Sequence, residues 1–225
     1  MQARKAPEFH KVHLNLDYAE RTQKIVPGLI DMYRMSGILL AENAPPNAKV
    51  LVLGAGGGLE LEKFIEMYPD WIFDGVDTSI EMIGLASERL KENANKVNFC
   101  LGEIEVAPDG PYDSASCLLT LHFMDSAKRL KTLQAIHQRL KPHAPLVVVH
   151  HSFSNDQRNE KRCRAFAISS GIPAELMNNQ MATLRSQLPI LEPAEDSALL
   201  KKAGFNNIEL FYAGFTFRGW VGYKS

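Results

Sequence analysis

The chain has 225 residues, 45% hydrophobic and 23% charged, with a formal net charge of −1. That composition suits one large buried core rather than a disordered chain, and it carries no basic footprint for nucleic acid or an anionic membrane. Three widely spaced cysteines, Cys100, Cys117 and Cys163, form no C-x-x-C pair, so neither a metal cluster nor a disulfide framework is expected.

Residues 1–16 read as a weakly basic arm with no apolar signal segment, and no apolar run approaches about 18 residues. No membrane association and a cytoplasmic, reducing location are therefore expected. From Asp17 to Asn43 the pattern is helical and broken at "VPG", giving two helices that meet at Pro27. Residues 1–44 form this arm and a helical cap, and 45–225 the main domain. Lys49–Leu53 reads as a strand and Leu59–Tyr68 as a helix with one apolar face. "WIFDGVD" (strand), "SIEMIGLASERLKENA" (helix), "KVNFCLG" (strand) and "YDSASCLLTLHF" (strand and turn) follow. A helix over about Lys128–Leu140 leads into the strand "PLVVVHHS". Cys100 and Cys117 sit in apolar strand-like runs and are expected to be buried.

Strands alternating with helices argue for an α/β fold, a Rossmann-like doubly wound sheet with helices on both faces. Alternation stops between about residues 154 and 191, a polar helical insertion. A helix from Pro193 ends at Gly204, and the chain closes with two strand-like runs around Ala213–Gly214, an antiparallel hairpin. Its aromatic residues, Phe211, Tyr212, Phe215, Phe217 and Trp220, read as core packing.

The stretch "VLVLGAGGGLEL" runs a strand straight into Gly54, Gly56 and Gly58. Such a turn lets backbone approach a ligand closely. Dinucleotide binding needs G-x-G-x-x-G, but Leu59 stands at the third glycine position. Asp77 ends the second strand, where a carboxylate can accept both ribose hydroxyls of an adenosine group. The alternative role for Asp77 is a helix N-cap. Together these features describe an adenosine pocket at the C-terminal edge of the first two strands, with no demand for a diphosphate.

On these residues the sequence resembles the class I S-adenosylmethionine-dependent methyltransferases over about residues 45–225. "VLVLGAGGGLEL" is similar to the family's first motif, "GVDTSIEMI" to the second, and "CLGEIEV" to the adenine segment. "YDSASCLLTLHF", "LKPHAPLVVVHHS" and the terminal hairpin resemble the fourth strand, the fifth strand and the family's C-terminal pair. The resemblance implies a mostly parallel seven-stranded sheet, S-adenosylmethionine as cofactor and S-adenosylhomocysteine as product. It places Leu53, Gly54, Ala55, Gly56 and Gly58 at the methionine moiety, the last four through backbone amides. Asp77 and Thr78 then meet the ribose, Met82, Gly102, Glu103 and Ile104 the adenine, and Leu118 and Leu119 the sulfonium. The family's acidic residue two positions before the first motif glycine is replaced here by Val52.

"YAERTQKIVPGL" and "GFTFRGWVGYKS" resemble the carboxy-S-adenosylmethionine synthase branch, whose product serves tRNA wobble-uridine modification. That branch carries a tyrosine after "VPG" and an asparagine in the fourth-strand motif; this chain has Leu29 and Leu118. The leading expectation is therefore methyl transfer to a small-molecule acceptor. The synthase chemistry and a non-catalytic adenosyl-binding module are the alternatives, and a homodimer is the candidate assembly. His122, His150 and His151 fall at strand C-terminal ends, where open α/β sheets bind ligands. Strand alternation sends His150 and His151 to opposite faces, so one at most faces the pocket; His122 and His151 are the candidate catalytic pair. Tyr33, Arg34 and Arg185 are candidates for gripping a polar substrate.

Overall fold

The computed structural model describes residues 18–154 and 157–225. Seven strands form one sheet: β1 (Lys49–Leu53), β2 (Ile72–Asp77), β3 (Val97–Leu101), β4 (Ser114–Leu118), β5 (Pro145–His151), β6 (Phe205–Gly214) and β7 (Phe217–Lys224). Their order is β3-β2-β1-β4-β5-β7-β6. The first five pair in parallel, and β7 runs antiparallel between β5 and β6. The order reverses at β1/β4, the switch point beside which ligands bind in open α/β sheets.

β1 and β5 are apolar and covered on both faces, as parallel strands under helices must be. Period-two alternation divides their side chains. Val50, Val52, Val147 and Val149 join one core with helices α2 (Leu29–Ala41) and α3 (Leu59–Met67). Leu51, Leu53, Leu146 and Val148 join the other, under α5 (Ser126–Arg139) and α8 (Pro193–Lys202). α4 (Ile80–Leu90) completes the shell and frays into a 3₁₀ turn at Lys91–Lys96, so the expected helix stops earlier than its sequence suggests.

The chain breaks at Pro27 between α1 (Tyr18–Ile25) and α2, with Gly28 left-handed at φ 63°. The expected insertion contains α6 (Gln157–Ser169) and α7 (Ala174–Gln187). α1 packs on α2 and α6, and α6 on α7. A hydrogen bond of 2.6 Å from the Tyr212 hydroxyl to the Pro27 carbonyl ties the hairpin to this cap. Tyr212, Phe217 and Trp220 are buried. Cys117 is buried, whereas Cys100 is only half-buried, because β3 is an edge strand with one neighbour. The N-terminal arm lies outside the described residues. No described helix is long and apolar enough to cross a membrane.

Candidate functional site

The glycine turn closes against the ends of β2 and β4. Gly54 sits at φ 83°, and a β-carbon there would come 1.9 Å from Thr120 Oγ1. At Gly56 a β-carbon would lie 2.5 Å from Asp77 Oδ2 and 2.6 Å from Met82 Cβ. Only glycine fits either place.

The amides of this turn are already used. Gly54 and Ala55 N–H donate to the Val76 carbonyl, Gly57 N–H to Met82 and Gly58 N–H to Ala55. Gly56 N–H donates to Asp77 Oδ2 at 2.9 Å. Each of these N–H groups thus has an acceptor within the protein, and Ala55–Gly58 are buried while Gly54 is half-buried.

Asp77 is a staple. Its second oxygen, Oδ1, accepts from Ser79 N–H at 2.9 Å, so one carboxylate fastens the β1 turn to the β2 turn. It is not the cap of α4; Ser79 is, accepting from Met82 N–H at 3.2 Å. An ionised carboxylate offers about four lone-pair sites. Two remain on Asp77 for a ligand's hydroxyls. Gly102 N–H donates to the Asp77 carbonyl at 2.9 Å, holding the β3 end against the β2 end. Ile104 and Leu53 are buried close by, and Thr78 is exposed. Glu103 is exposed and paired with Lys128 Nζ at 2.5 Å, so its carboxylate reaches an adenine amine only by sharing or leaving that partner.

α1 lies over the turn. The Tyr18 ring covers Gly57 so closely that a β-carbon there would come within 2.4 Å. Burial, then the neighbouring Glu60, pushes the Tyr18 hydroxyl up to about 12. Glu60, in the first turn of α3, is 4% exposed. Burial raises its carboxyl to about 8, with the nearby Asp77 adding to the rise and its own backbone N–H opposing it. Glu60 was not singled out in the sequence, where an acidic residue early in a helix reads as solvated.

At the end of β4, Leu118 is buried and Leu119 adopts φ 57°. A branched side chain in the left-handed region stores strain of a kind that clusters at functional sites. Leu119 opens onto a cavity of about 170 Å³ bounded by Tyr18, His122, His151, Met181 and Phe217. The cavity wall is mainly apolar.

His150 and His151 part as alternation requires. His151 follows Val147 and Val149 to the cavity, where Nδ1 lies 3.0 Å from Thr216 Oγ1 and the ring stacks on Phe217 at 4.0 Å. The His122 ring is 5.0 Å from it, edge-on. Burial drives His151 down to about 3, with His150 adding to the fall, and drives His122 well below its ordinary value. His150 points the other way, its Nε2 lying 3.1 Å from Asp196 Oδ2. Asp196 also pairs with Arg129, which donates to the Met124 and Pro189 carbonyls. Burial works against the Asp196 charge, but the hydrogen bond from His150 and the Arg129 cation hold its carboxyl below its usual value.

The substrate candidates do not converge. Tyr33 is buried in the core among α2 residues rather than on the cavity wall. Arg34 faces outward and pairs with Asp31 at 3.2 Å. The Arg185 side chain lies outside the described residues. No group of three or more metal-ligating side chains occurs among the described residues.

A model of the methyltransferase domain matches residues 50–143. The carboxy-S-adenosyl-L-methionine synthase of Campylobacter fetus is 22% identical over 217 residues, covering 92% of this chain and 90% of that protein. The enzyme of the same name from Actinobacillus pleuropneumoniae is 27% identical over 222 residues, 92% of this chain and 89% of that one. Human N-acetylserotonin methyltransferase, solved in complex with S-adenosylmethionine, superposes with a TM-score of 0.60 at 18% identity. That match covers 92% of this chain but 57% of the human one, so the chain spans little more than half of that structure and the likeness is one of fold.

The residues present fit an adenosyl cofactor: a glycine turn lies within a β-carbon's reach of a carboxylate that keeps two acceptor sites. The sheet order, with its antiparallel β7, agrees with the motif order read from the sequence. Residues 50–143 thus match a methyltransferase domain, and the fold is one that the chain shares with solved methyltransferases.

Proposed function

We propose that the protein transfers the cofactor methyl group to a small, largely apolar acceptor bound in the cavity between the cap and the C-terminal ends of β4 and β5. The cavity at Leu119 carries this reading, because its wall begins where β4 ends and is predominantly apolar. About 150 Å³ of such space holds a benzene-sized molecule, so the acceptor is of single-ring size or presents one ring to the cavity.

When bound, S-adenosylmethionine supplies a methyl group on positively charged sulfur, for which a neutral thioether is the leaving group. The chain's own part is alignment and exclusion of water. Asp77 holds the ribose, Met82 packs against the adenine, and the turn at Leu118–Leu119 borders the reacting centre. Tyr18, on α1, closes the site from above.

His122 and His151 are neutral at pH 7, held so by burial. A base whose conjugate acid titrates near 3 takes up a proton weakly, since efficient bases titrate near the working pH. Their role is to hold a polar handle of the acceptor by hydrogen bonding. Screening a metabolite extract with methyl-labelled cofactor tests the proposal: transfer to a small molecule supports it, and label found only on RNA or protein contradicts it.

A second reading, carboxylation of the cofactor, has the full-length similarity to the two synthases in its favour. Against it, Leu29 and Leu118 are both buried and apolar where that branch places polar groups. Mass spectrometry of copurified cofactor separates the readings. Unmodified S-adenosylmethionine or S-adenosylhomocysteine is expected, and a species heavier by one carboxylate would favour the synthase.

A further inference from the structure

We infer that Glu60 is the carboxylate that receives the α-ammonium group of the cofactor's methionine moiety, taking over the position that Val52 leaves apolar. The inference rests on the assignment of S-adenosylmethionine to this pocket.

Val52 is fully buried at the centre of the sheet, between Gly75 and Ser116, and cannot accept a hydrogen bond. Glu60 comes two residues after Gly58, in the first turn of α3. The helix start that orients the glycine turn therefore also carries this carboxyl. Glu60 is one cause of the raised hydroxyls of Tyr18 on α1 and Tyr33 on α2 and of the raised thiol of Cys117 on β4, and the Asp77 charge on β2 in turn raises Glu60. Arg89 of α4, which also acts on Tyr33, donates to the Gly57 carbonyl at 2.9 Å and lies 3.6 Å from Glu62. Among the described residues no cation pairs with Glu60.

A buried carboxyl without a cation is costly, and natural proteins rarely keep one without a use. Burial together with the Asp77 charge leaves Glu60 protonated at neutral pH in the free protein. An arriving ammonium supplies the missing positive charge, and a proton must then leave the pair. Whether Glu60 ionises or the amine becomes neutral, net release approaches one proton per ligand at pH 6.5, below both the raised carboxyl value and that of an α-amino group.

Calorimetry in buffers of different ionisation enthalpy reads this directly, with S-adenosylhomocysteine and 5′-methylthioadenosine as probes. The second probe keeps the adenosine but lacks the amino acid. In the wild-type protein, S-adenosylhomocysteine is expected to release close to one proton at pH 6.5 and methylthioadenosine none. Glu60→Gln is expected to abolish the release and to weaken S-adenosylhomocysteine about tenfold or more, while methylthioadenosine affinity stays within about twofold. Glu60→Asp should recover part of the release. Equal weakening of both probes in Glu60→Gln, or proton release that survives it, would overturn the assignment. If neither probe binds the wild-type protein, the placement of the cofactor fails instead, a separate result.

Discussion

Asp77 joins two turns before it touches any ligand, and this changes what its substitution does. Both oxygens accept backbone N–H groups, from Gly56 and Ser79. Asparagine can satisfy one of them and turns an NH₂ group toward the other. Asp77→Asn is therefore expected to lower stability by about 1–3 kcal/mol in urea unfolding while also weakening S-adenosylhomocysteine. Ser79→Ala, which removes the cap of α4, is expected to cost about 1 kcal/mol and to leave ligand affinity nearly unchanged. If Ser79→Ala weakens binding as much as Asp77→Asn, the ribose role of Asp77 is wrong. The cavity histidines give a pH signature. His151 titrates near 3 in the folded protein and about 6.5 unfolded. Below pH 6.5 the unfolded chain binds a proton that the native state refuses, so stability falls as pH drops toward 3. The slope is about 1.4 kcal/mol per pH unit for each such histidine. His122, also held neutral by burial, contributes in the same direction. Urea unfolding at pH 7, 6 and 5 should show a shallower acid loss in His122→Gln than in the wild type; parallel curves would contradict the burial-driven shift.

At the scale of elements, two devices set the geometry of the pocket. The first is the Arg129–Asp196–His150 network, which joins α5, α8 and β5. By fixing His150 on the α5/α8 side it fixes which face His151 presents to the cavity. Removing one partner of a buried pair leaves the other uncompensated, so Asp196→Ala is expected to cost about 3–5 kcal/mol. An Arg129→Met, Asp196→Leu double variant should recover much of that loss. Failure of the double variant to recover stability would mean the network does more than neutralise itself. The second device is the 2.6 Å tether from Tyr212 to Pro27. Tyr212→Phe keeps the ring and loses only the hydroxyl, worth about 1 kcal/mol. Amide exchange in α1 should accelerate in this variant, with little change in β1. Uniform acceleration across the sheet would instead mean that the hydroxyl supports the whole fold.

Across the whole molecule, what the sequence made legible is what short-range pattern encodes. β1 at Lys49–Leu53 is a bare apolar run and ends where expected; the break at Pro27 and the hairpin near Gly214 follow from turn chemistry. The opposite facing of His150 and His151 follows from strand alternation alone. Long-range packing decided the rest. Glu60 sits in a helix whose neighbours alternate charge and leucine, yet it is buried, with Tyr18 and Tyr33 of other elements near enough to feel its charge. Tyr33 reads as a polar cap residue but is consumed by the core, and the Glu103–Lys128 pair spans 25 positions. The amides of the glycine turn looked available because their acceptors, Val76 and Met82, lie on other elements. The central claim is that an adenosyl group lies at the C-terminal edge of β1 and β2 with its ribose on Asp77. A crystal structure of the complex with S-adenosylhomocysteine tests it most directly. The expected result places both ribose hydroxyls within about 3 Å of the Asp77 carboxylate and the sulfur beside Leu118–Leu119, facing the cavity. A ligand seated away from Asp77, or with its sulfur directed away from the His122–His151 cavity, would contradict the account.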